Sequence, residues 1–544
     1  MTFHYLEQLK QKHFDPKKIL EYAQSLINRG YLTEADLNLY IETLDFDISE
    51  IAATENNLFQ QVWDFDNGET EANLPQPQAI NYTYEQKVDF LKFTRERLTP
   101  DQRQIFNYFG KAIQESDKQC LLFITGGAGC GKTYLIRKLM EACKVFGIKH
   151  DVVATTGVAS MLTHGTTVHA YFHLNLRNES NIDKSSADAQ RIRDLQVLFI
   201  DEVSMMEKNL FHTVDVMLRR IRSPDNQHYT KPFGGRHIVL VGDVAQLPVI
   251  QGKGIWDEPL FYEYFKIANL ITNKRQQDSR FLTVLNKIRL GNIDDQVEQY
   301  LNEHTIDGDI ESNPHVFNIE KTFILTPHRQ TRDRYNKIIT NRLPDENQWE
   351  YKSIDIGPDG RSISEKTLEY GLKHSKCMFV ERLVLRKGAR VILLRNMDIK
   401  NGWVNGTICR VVDMMNFGIW VCKDSNRNDT KYIMRQRWNI TPKNHSGDYF
   451  RIQFPLDLAY ALTIHKIQGF TLDDVILDMK NVWQSGQAYV AISRVKNDAN
   501  LKIISYDKEN IKIDLYYKAL LKWFRAVDHF HEKDENVARP IPRE

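Results

Sequence analysis

The sequence predicts an α/β protein with two parallel-sheet units in tandem, a β-rich insertion in the second unit and a helical module at the start of the chain. Short apolar runs alternate with amphipathic helical patterns from residue 82 to 342 and again from residue 454. A glycine-rich turn joins one apolar run to a helical pattern at residues 121–133, LLFITGGAGCGKT. Residues 343–453 instead contain short β-rich runs with turn signals, which is typical of a small antiparallel barrel.

The composition is that of an ordinary globular protein and gives no overall sign of a nucleic-acid partner. The 544 residues suggest about three or four domains. The net charge is +1, so a surface for nucleic acid would have to be a local groove. The six cysteines include no C-x-x-C pair, which favours a reducing, intracellular compartment over a disulfide framework or a zinc site. No apolar run approaches the length of a membrane span, and the first residues lack the apolar core of a signal peptide.

The first 81 residues carry no recognisable chemistry. Residues 1–63 have apolar positions at helical spacing, which predicts a helical accessory or docking module. Residues 64–81 are acidic, contain two prolines and lack periodicity, so they are interpreted as a linker. The tail, residues 531–544, is polar and is predicted to be mobile.

The glycine-rich turn has the G-x-x-x-x-G-K-T spacing of a phosphate-binding loop, between a strand and a helix. Glycines allow backbone N–H groups to curl around a triphosphate, and the helix N-terminus adds positive potential. Lys132 can reach the β- and γ-phosphates, and Thr133 offers a hydroxyl to Mg²⁺. The loop therefore predicts a nucleotide triphosphatase that uses Mg²⁺.

Polar side chains follow two further apolar runs. In LQVLFIDEVSMM, Asp201 and Glu202 end a buried-strand pattern, and they are predicted to be the metal ligand and the general base. In HIVLVGDVAQLPVI, Gln246 follows another strand and can sense the terminal phosphate or position a water. These groups should meet at the carboxyl ends of parallel strands.

Two residues distant from the loop are candidates for the same site. Gln102 begins a helix some twenty residues before the loop, and an amide can pair with an adenine edge, although alone it would be read as a surface glutamine. Arg494 lies far along the chain, but a second α/β unit facing the first could bring it to the γ-phosphate as an arginine finger supplied in cis.

Two other patterns leave alternatives open. His169 and His173 stand four residues apart, but no third ligand is near, so a polar or aromatic groove lining is favoured over zinc. The β-rich insertion interleaves basic and aromatic residues, which suits single-stranded nucleic acid but equally fits barrel core with solubilising charge. Its members are Arg386, Lys387, Arg390, Arg395, Trp403 and Trp420.

Further motifs extend the pattern between residues 97 and 505. The set is LTPDQ (98–102), GGAGCGKT (126–133), ATTGVAS (154–160), GTTVHAYF (165–172), DEVSM (201–205), KPFGG (231–235), GDVAQLPV (242–249), LTPHRQTRDRYN (325–336), HKIQGFTLDD (465–474) and YVAISRV (489–495). Taken together, these motifs resemble those of superfamily-one helicases of the 5′-to-3′ class, and in particular the petite integration frequency (Pif) family, whose members are relatives of RecD. The departures are small: Cys130 replaces a usual Thr and could make the loop sensitive to thiol reagents, while Val249 and Ile467 replace a usual Pro and Ser.

The resemblance implies two RecA-like domains with ATP between them and a Src-homology-3-like barrel inserted in the second. The domains it implies are 82–265 for the first RecA-like domain, with a hairpin insertion at 173–194, then 266–342 with 454–530 for the second, and 343–453 for the barrel. The implied ATPase groups are Lys132, Glu202, Gln246, Arg275 and Arg494, with Thr133 and Asp201 at the metal. The implied nucleotide contacts are Gln102, Gly127, Gly129, Cys130, Gly131, Lys132, Thr133 and Gly469. The residues implied to contact the DNA strand are Thr156, His169, His465 and Lys466.

The function implied is an ATP-dependent 5′-to-3′ DNA helicase or translocase, acting in DNA replication, repair or recombination on single-stranded and duplex or forked DNA. Three alternatives remain open at this stage: an RNA helicase of the same superfamily, a translocase that unwinds poorly, and a non-motor scaffold recruited through residues 1–63. We expect a monomer without a membrane segment, with a possible protein partner for residues 1–63. Nucleus, mitochondrion, bacterial cytosol and virus-infected cell are not distinguished.

Overall fold

The structure, a computed structural model, describes most of the chain from residue 82 onward. The predicted helical module at 1–63, the linker at 64–81 and all but two residues of the tail at 531–544 lie outside the described residues. The described residues are 82–115, 118–156, 159, 165–175, 178–180, 182–222, 230–249, 252–274, 278–344, 348–358, 362–375, 377–398, 401–442, 445, 447–530 and 539–540.

The helices and strands of the described residues are numbered along the chain. The helices are α1 (Tyr84–Arg97), α2 (Pro100–Ala112), α3 (Lys132–Val145), α4 (Val168–Tyr171), α5 (Ala187–Asp194), α6 (Lys208–Arg222), α7 (Pro259–Tyr264), α8 (Ser279–Arg289), α9 (Asp295–Glu303), α10 (Arg329–Thr340), α11 (Glu365–Ser375), α12 (Gln487–Ile492) and α13 (Leu515–Ala526). The strands are β1 (Leu121–Gly126), β2 (His150–Ala154), β3 (Thr166–Thr167), β4 (Val197–Asp201), β5 (His237–Gly242), β6 (Lys266–Leu270), β7 (Phe323–Thr326), β8 (Gln348–Lys352), β9 (Ile354–Ile356), β10 (Arg382–Arg386), β11 (Arg390–Leu393), β12 (Ile408–Met414), β13 (Gly418–Lys423), β14 (Asn426–Met434), β15 (Gln436–Asn439), β16 (Phe450–Gln453), β17 (Leu456–Leu458), β18 (Ala461–Thr463), β19 (Val475–Met479) and β20 (Leu501–Tyr506).

The chain divides into two compact units. Among the described residues, the larger unit comprises those of 79–348, 388–410 and 456–544, and the smaller comprises those of 349–387 and 411–455. The predicted insertion at 343–453 is thus divided between the two units. Among the described residues, none of the helices combines the length and apolar character that a bilayer crossing requires.

The first sheet of the larger unit is parallel and has the strand order β3-β2-β4-β5-β1-β6. Its central strands are continuous apolar runs because both faces are covered by helices, as in β1, where every residue is buried. β5 lies between β1 and β4, so the carboxyl ends of these three strands are neighbours. The glycine-rich turn, residue 201 and residue 243 are thereby placed side by side.

The predicted boundary between residues 265 and 266 is wrong, because β6 extends the first sheet by pairing with β1. α13 also packs against this sheet: the Phe524 ring lies 5.4 Å from that of Phe123, and the Phe524 carbonyl accepts a hydrogen bond from the Asn269 amide at 2.7 Å. The first lobe is therefore completed by a helix from the far end of the chain.

The second sheet of the larger unit is also parallel, with the order β18-β7-β19-β20. Its core contains Ile324, Tyr335, Ile339 and Ile476, with α10 packed against β7 and β18. Since β18 follows the insertion in the chain but pairs directly with β7, the insertion interrupts the sheet without disturbing its register.

The smaller unit is built mainly of antiparallel strands. β15, β16 and β9 form one sheet, and β13 pairs with β14 as a hairpin. Arg451 of β16 is buried beside Asp355, with an Nε–Oδ1 distance of 2.7 Å, which ties the strands together.

The hairpin insertion predicted at 173–194 lies in the larger unit. Within it, Leu174 and Ser180 form an antiparallel bridge, and α5 follows.

Candidate functional site

The phosphate loop is shaped by two residues in the left-handed region, Gly129 at φ 83° and Gly131 at φ 75°. A Cβ at Gly131 would lie 2.5 Å from the amide nitrogen of Gln102, so the loop also needs glycine there for space. α3 begins at Lys132, and its Nζ donates to the carbonyls of Gly126 at 2.7 Å and Gly127 at 3.0 Å. The amine thus points back into the loop, where phosphate oxygens would compete for it, and Thr133 follows in the first turn of the helix.

Asp201 and Glu202 stand at the end of β4, as predicted. Asp201 is buried, and its Oδ1 accepts a hydrogen bond from the Glu202 N–H at 2.8 Å. Burial, together with the neighbouring Glu202, raises the pKa of the Asp201 carboxyl. A divalent cation would remove this cost by supplying the missing positive charge.

The donor set fits Mg²⁺ better than a transition metal. In the part of the chain that the structure describes, no three His, Cys, Asp or Glu side chains are arranged so that they could hold a metal ion together. Mg²⁺ in phosphate sites keeps several waters and uses only one or two protein oxygens, which Thr133 and Asp201 can supply.

Glu202 adopts an unusual backbone conformation for a residue with a side chain, with φ 53° and ψ 42°. Two contacts hold it: Thr155 Oγ1 donates to its carbonyl at 2.7 Å, and Gln468 Nε2 donates to its carboxylate at 3.1 Å. Gln468 follows the Ile464–Ile467 turn of the second lobe and belongs to the HKIQGFTLDD motif, but the sequence analysis assigned it no role. The candidate base is therefore held in place by residues of both lobes.

A buried chain of polar groups that the sequence reading missed lies beside the loop. Asp243 is fully buried and pairs with Arg289 of α8, at 2.8 Å between Oδ1 and Nη2. The Tyr489 hydroxyl of α12 accepts a hydrogen bond from the Ala128 N–H of the loop at 2.7 Å and lies 3.3 Å from Asp243 Oδ2. Burial alone would raise the pKa of Asp243, but the positive charges of Arg289 and Lys132 lower it by more than burial raises it. The pKa therefore lies below the ordinary value, and the carboxylate stays charged.

Gln102 lies against the loop, but its amide is already engaged. Its Oε1 accepts from the Thr99 N–H at 3.2 Å as half of a capping box, and its Nε2 donates to the Cys130 carbonyl at 3.2 Å. Pairing with adenine stays a prediction, and it would require this amide to exchange partners.

The neighbouring Asp101 has a structural role that the sequence did not suggest. Its Oδ2 accepts hydrogen bonds from the N–H groups of Ile271 and Thr272, just after β6, at 2.8 and 3.1 Å.

Arg275 lies outside the described residues, but the segment before it runs along the loop. The Lys274 N–H donates to the Gly129 carbonyl at 2.9 Å, and Asn273 Nδ2 donates to the Ala128 carbonyl at 2.8 Å. Asn273 is a further loop contact that sequence reasoning missed, and its place two residues before Arg275 is the signal that could have suggested it.

Gln246 is 3 % exposed, and among the described residues its Oε1 has no hydrogen-bond partner. A buried amide oxygen without a hydrogen-bond partner is costly unless a ligand or water supplies one, which fits the predicted role beside the nucleotide.

Two further predicted site residues, Gly469 and Arg494, lie in the second lobe. Gly469 lies directly after Gln468 in the left-handed region, at φ 90°. Arg494 is buried, and its guanidinium donates to the Val490 carbonyl at 2.9 Å and to Ser493 Oγ at 2.9 Å, so reaching a phosphate would require it to leave these partners.

The predicted strand contacts lie in both lobes, two residues in each. Thr156 follows β2, and its hydroxyl accepts from the Ala159 N–H at 3.2 Å, while His169 is exposed on α4. His465 and Lys466 share the Ile464–Ile467 turn after β18. Burial lowers the pKa of Lys466 to about 8, with Asp457 acting in the opposite direction.

Burial decides between the two uses that the sequence left open for three residues of the β-rich insertion. Arg390 is fully buried and donates to the Thr322 carbonyl at 2.8 Å, and Arg386 and Trp403 are also buried, so these three belong to the core and not to a nucleic-acid surface. Cys130 is 5 % exposed, and burial raises its pKa, which favours the unreactive thiol over the reactive thiolate.

Comparison with known proteins places this site in a family. A model of PIF1-like helicases matches residues 97–299, and a model of the 2B domain of the DNA helicase Pif1 matches residues 373–414. The ATP-dependent DNA helicase Pif1 of Bdellovibrio bacteriovorus is 32% identical over 410 residues, which cover 72% of this chain and 86% of the relative. This chain belongs to the Pif1 helicase family.

Other Pif1 proteins extend the comparison. ATP-dependent DNA helicase PIF1 of Xenopus laevis is 30% identical over 419 residues, which cover 73% of this chain but only 60% of the frog protein. The crystal structure of Pif1 helicase from Bacteroides in complex with ADP-AlF3 and single-stranded DNA matches with a TM-score of 0.64 and 26% identity, covering 80% of this chain and 99% of the other. The family resemblance and the fold class predicted from the sequence are thereby confirmed, and the two parallel sheets are the tandem RecA-like domains of a Pif1 helicase.

Proposed function

We propose that this Pif1-family chain is an ATP-driven DNA helicase that moves 5′ to 3′ along a single strand and unwinds the duplex ahead of it. The observation that carries the proposal is that groups from the second RecA-like domain contact both the phosphate loop and the candidate base of the first. Tyr489 binds the loop amide of Ala128, and Gln468 binds the candidate base Glu202. A motor of this kind needs groups from both domains at its ATPase site, because nucleotide binding must control the closure of one domain onto the other.

The residues have the following proposed roles in ATP hydrolysis. Lys132 and the loop N–H groups bind the phosphates, while Thr133 and Asp201 would hold Mg²⁺, which when bound neutralises phosphate charge. Glu202 accepts the proton of the attacking water, and Gln246 orients that water. Arg275 and Arg494 are proposed to neutralise the charge that develops in the transition state.

Strand movement is proposed to follow from alternating grip. Thr156 and His169 of the first domain and His465 and Lys466 of the second are the proposed strand contacts, so opening and closing of the domains would change their spacing along the strand. Contacts of this kind act on phosphates and bases without reading sequence, so binding should be salt-sensitive and only weakly sequence-specific.

The first test is ATP hydrolysis with and without single-stranded DNA, using the wild-type chain and Lys132→Ala. We expect DNA to stimulate the wild type, and the variant to lose at least about 100-fold of kcat because an essential charge at the phosphates is gone, while still binding DNA. Stimulation by RNA but not DNA would move the proposal to an RNA helicase. Normal turnover by Lys132→Ala would contradict the site assignment.

Three further properties are proposed from the sequence. The chain acts as a monomer, residues 1–63 dock a protein partner, and the protein works in a reducing compartment, since its six cysteines are scattered and include no C-x-x-C pair. Light scattering of the full chain, alone and on forked DNA, tests the first property. Removing residues 1–63 and measuring both unwinding and partner capture tests the second.

A further inference from the structure

Gln484 belongs to the second RecA-like domain, in the segment that joins β19 to α12, and its side chain lies between His465 of the same domain and the loop after β5 of the first domain. It is 9 % exposed, and its side chain makes two hydrogen bonds. Its Oε1 lies 2.5 Å from Nε2 of His465, a proposed strand contact, and its Nε2 donates to the Pro248 carbonyl at 3.2 Å. Pro248 belongs to the loop after β5 that also carries Gln246.

The chemistry of the two partners fixes the direction of this link. The Pro248 carbonyl can only accept, so the Gln484 amide nitrogen must face it and the amide oxygen must face His465. His465 must then carry a hydrogen on Nε2, which it does both in this neutral tautomer and when protonated. The link therefore persists whichever charge state the imidazole adopts on the strand.

A second contact from the same segment reaches the same loop. Gly486 is in the left-handed region at φ 74°, and a Cβ there would collide with the carbonyl oxygens of Ala245 and Gln246. The backbone at residue 486 thus lies directly against the loop, two residues after Gln484 in the chain. A displacement of His465 would be transmitted to the loop at both positions.

We propose that Gln484 is a positioning residue that couples strand binding at His465 to the Gln246 loop, so that single-stranded DNA accelerates ATP hydrolysis. The inference rests on the proposed function, because it takes His465 as a strand contact and Gln246 as part of the ATPase site. Gln484 itself touches neither ATP nor the strand in this role. Its substitution should separate DNA stimulation from the underlying hydrolysis.

The test uses the full chain and two variants that differ in which hydrogen bond they keep. Gln484→Glu keeps an acceptor for His465 but cannot donate to Pro248, whereas Gln484→Leu loses both bonds with little change in size. Gln299→Leu, which removes an exposed glutamine whose Nε2 donates to Glu303 in its own helix, is the matched control. ATP hydrolysis is measured without DNA and at saturating oligo-dT, and oligo-dT affinity is measured by fluorescence anisotropy.

For Gln484→Glu we expect the ratio of DNA-stimulated to DNA-free kcat to fall about 5- to 10-fold, the size expected when one buried hydrogen bond is lost. Its DNA-free rate and its oligo-dT affinity should stay within about twofold of wild type, since the His465 side of the link is kept. Gln484→Leu should lose the same stimulation and also bind oligo-dT more weakly. Gln299→Leu should match wild type throughout.

Several results would overturn the inference. Wild-type stimulation in both Gln484 variants would do so, and so would a loss that disappears when more oligo-dT is added, because Gln484 would then only support binding. The double variant Gln484→Glu with His465→Ala should show no smaller DNA stimulation than His465→Ala alone. If the fold-losses of the two single variants multiply in the double variant, the two residues act separately, which would also overturn the inference. A wild-type chain that DNA does not stimulate at all would contradict the proposed function, and the inference with it.

Discussion

At the scale of single residues, the charge pair of Asp243 and Arg289 is the most demanding feature near the phosphate loop. Arg289 is 7 % exposed and Asp243 is fully buried, and their side chains lie 2.8 Å apart. Removing one member of such a pair leaves the other charge buried without compensation, which costs about 3–5 kcal/mol. The pair also orients Asp243 Oδ2 toward the Tyr489 hydroxyl, so it supports the contact between the two RecA-like domains.

We therefore expect Asp243→Asn to lower the free energy of unfolding of the larger unit by about 3–5 kcal/mol. Asp294→Asn is the matched control, because Asp294 pairs with Lys287 at the surface and asparagine can still cap α9. The control should change stability by less than about 0.5 kcal/mol. Urea denaturation followed by circular dichroism measures both, and equal effects would contradict the importance given to the buried pair.

Lys466 leads to a prediction about pH. Its pKa is lowered from 10.5 to about 8, first by burial and then by Arg332 and Arg329, against the opposing effect of Asp457. Because its pKa is lowered, Lys466 loses its proton at a lower pH than an ordinary lysine does. Its ammonium is therefore charged at pH 7 and mostly neutral at pH 9. A strand phosphate held by this ammonium should thus be held less tightly as the pH rises.

Oligo-dT affinity of the wild type should fall about three- to tenfold between pH 7 and pH 9, as Lys466 loses its charge. Lys466→Arg should remove most of this dependence, since a guanidinium stays charged throughout. Anisotropy titrations at constant ionic strength give the comparison. The same pH dependence in both proteins would show that another group is responsible.

At the scale of elements, the junction between β1 and α3 carries the nucleotide chemistry. Gly131 has φ 75° and lies against the Gln102 amide. Gly147, just after α3, has a similar φ of 70°, but a Cβ added there would meet no described atom within 4 Å. The two glycines thus share a left-handed backbone but differ in their surroundings.

We expect Gly147→Ala to lower stability by about 1 kcal/mol and to leave ATP hydrolysis unchanged, because only the left-handed backbone is affected. Gly131→Ala should in addition raise KM for ATP by about tenfold or more, since the loop must shift away from Gln102 to make room. Steady-state kinetics and thermal melting separate the two effects. Equal KM values for both variants would contradict the tight fit between α2 and the loop.

The elements also show what a single sequence can and cannot predict. Strands such as β1 and β4 are apolar runs that end in a glycine-rich turn or a carboxylate, so both the strand and its functional end are visible in the sequence. The placement of β6 and α13 is not, because their contacts with the first sheet depend on chain segments distant in sequence. Tyr489 was missed for the same reason: its loop partner Ala128 lies 361 residues away.

Arg390 shows a second limit. In the sequence it is one of several basic residues near tryptophans, which is typical of a nucleic-acid surface. In the structure its guanidinium lies 4.2 Å from the centre of the Phe323 ring and donates to backbone carbonyls, so it is a buried connector between β11 and the second sheet. Composition cannot distinguish these two uses of arginine.

At the scale of the whole molecule, the larger unit contains both RecA-like domains and several contacts between them. Those contacts, through Tyr489, Gln468 and Gln484, all reach residues at the carboxyl ends of the first sheet. A chain organised in this way can convert nucleotide binding into movement of one domain against the other. The direction of that movement along DNA is the central claim of the account.

Strand separation on a DNA duplex carrying a single-stranded tail, with ATP and Mg²⁺, tests that claim most directly. The account predicts unwinding when the tail is on the 5′ side and little or none when it is on the 3′ side, with Lys132→Ala inactive on both. DNA-stimulated hydrolysis without unwinding from either tail would contradict the helicase activity itself and leave a translocase. Unwinding only from the 3′ tail would contradict the proposed polarity.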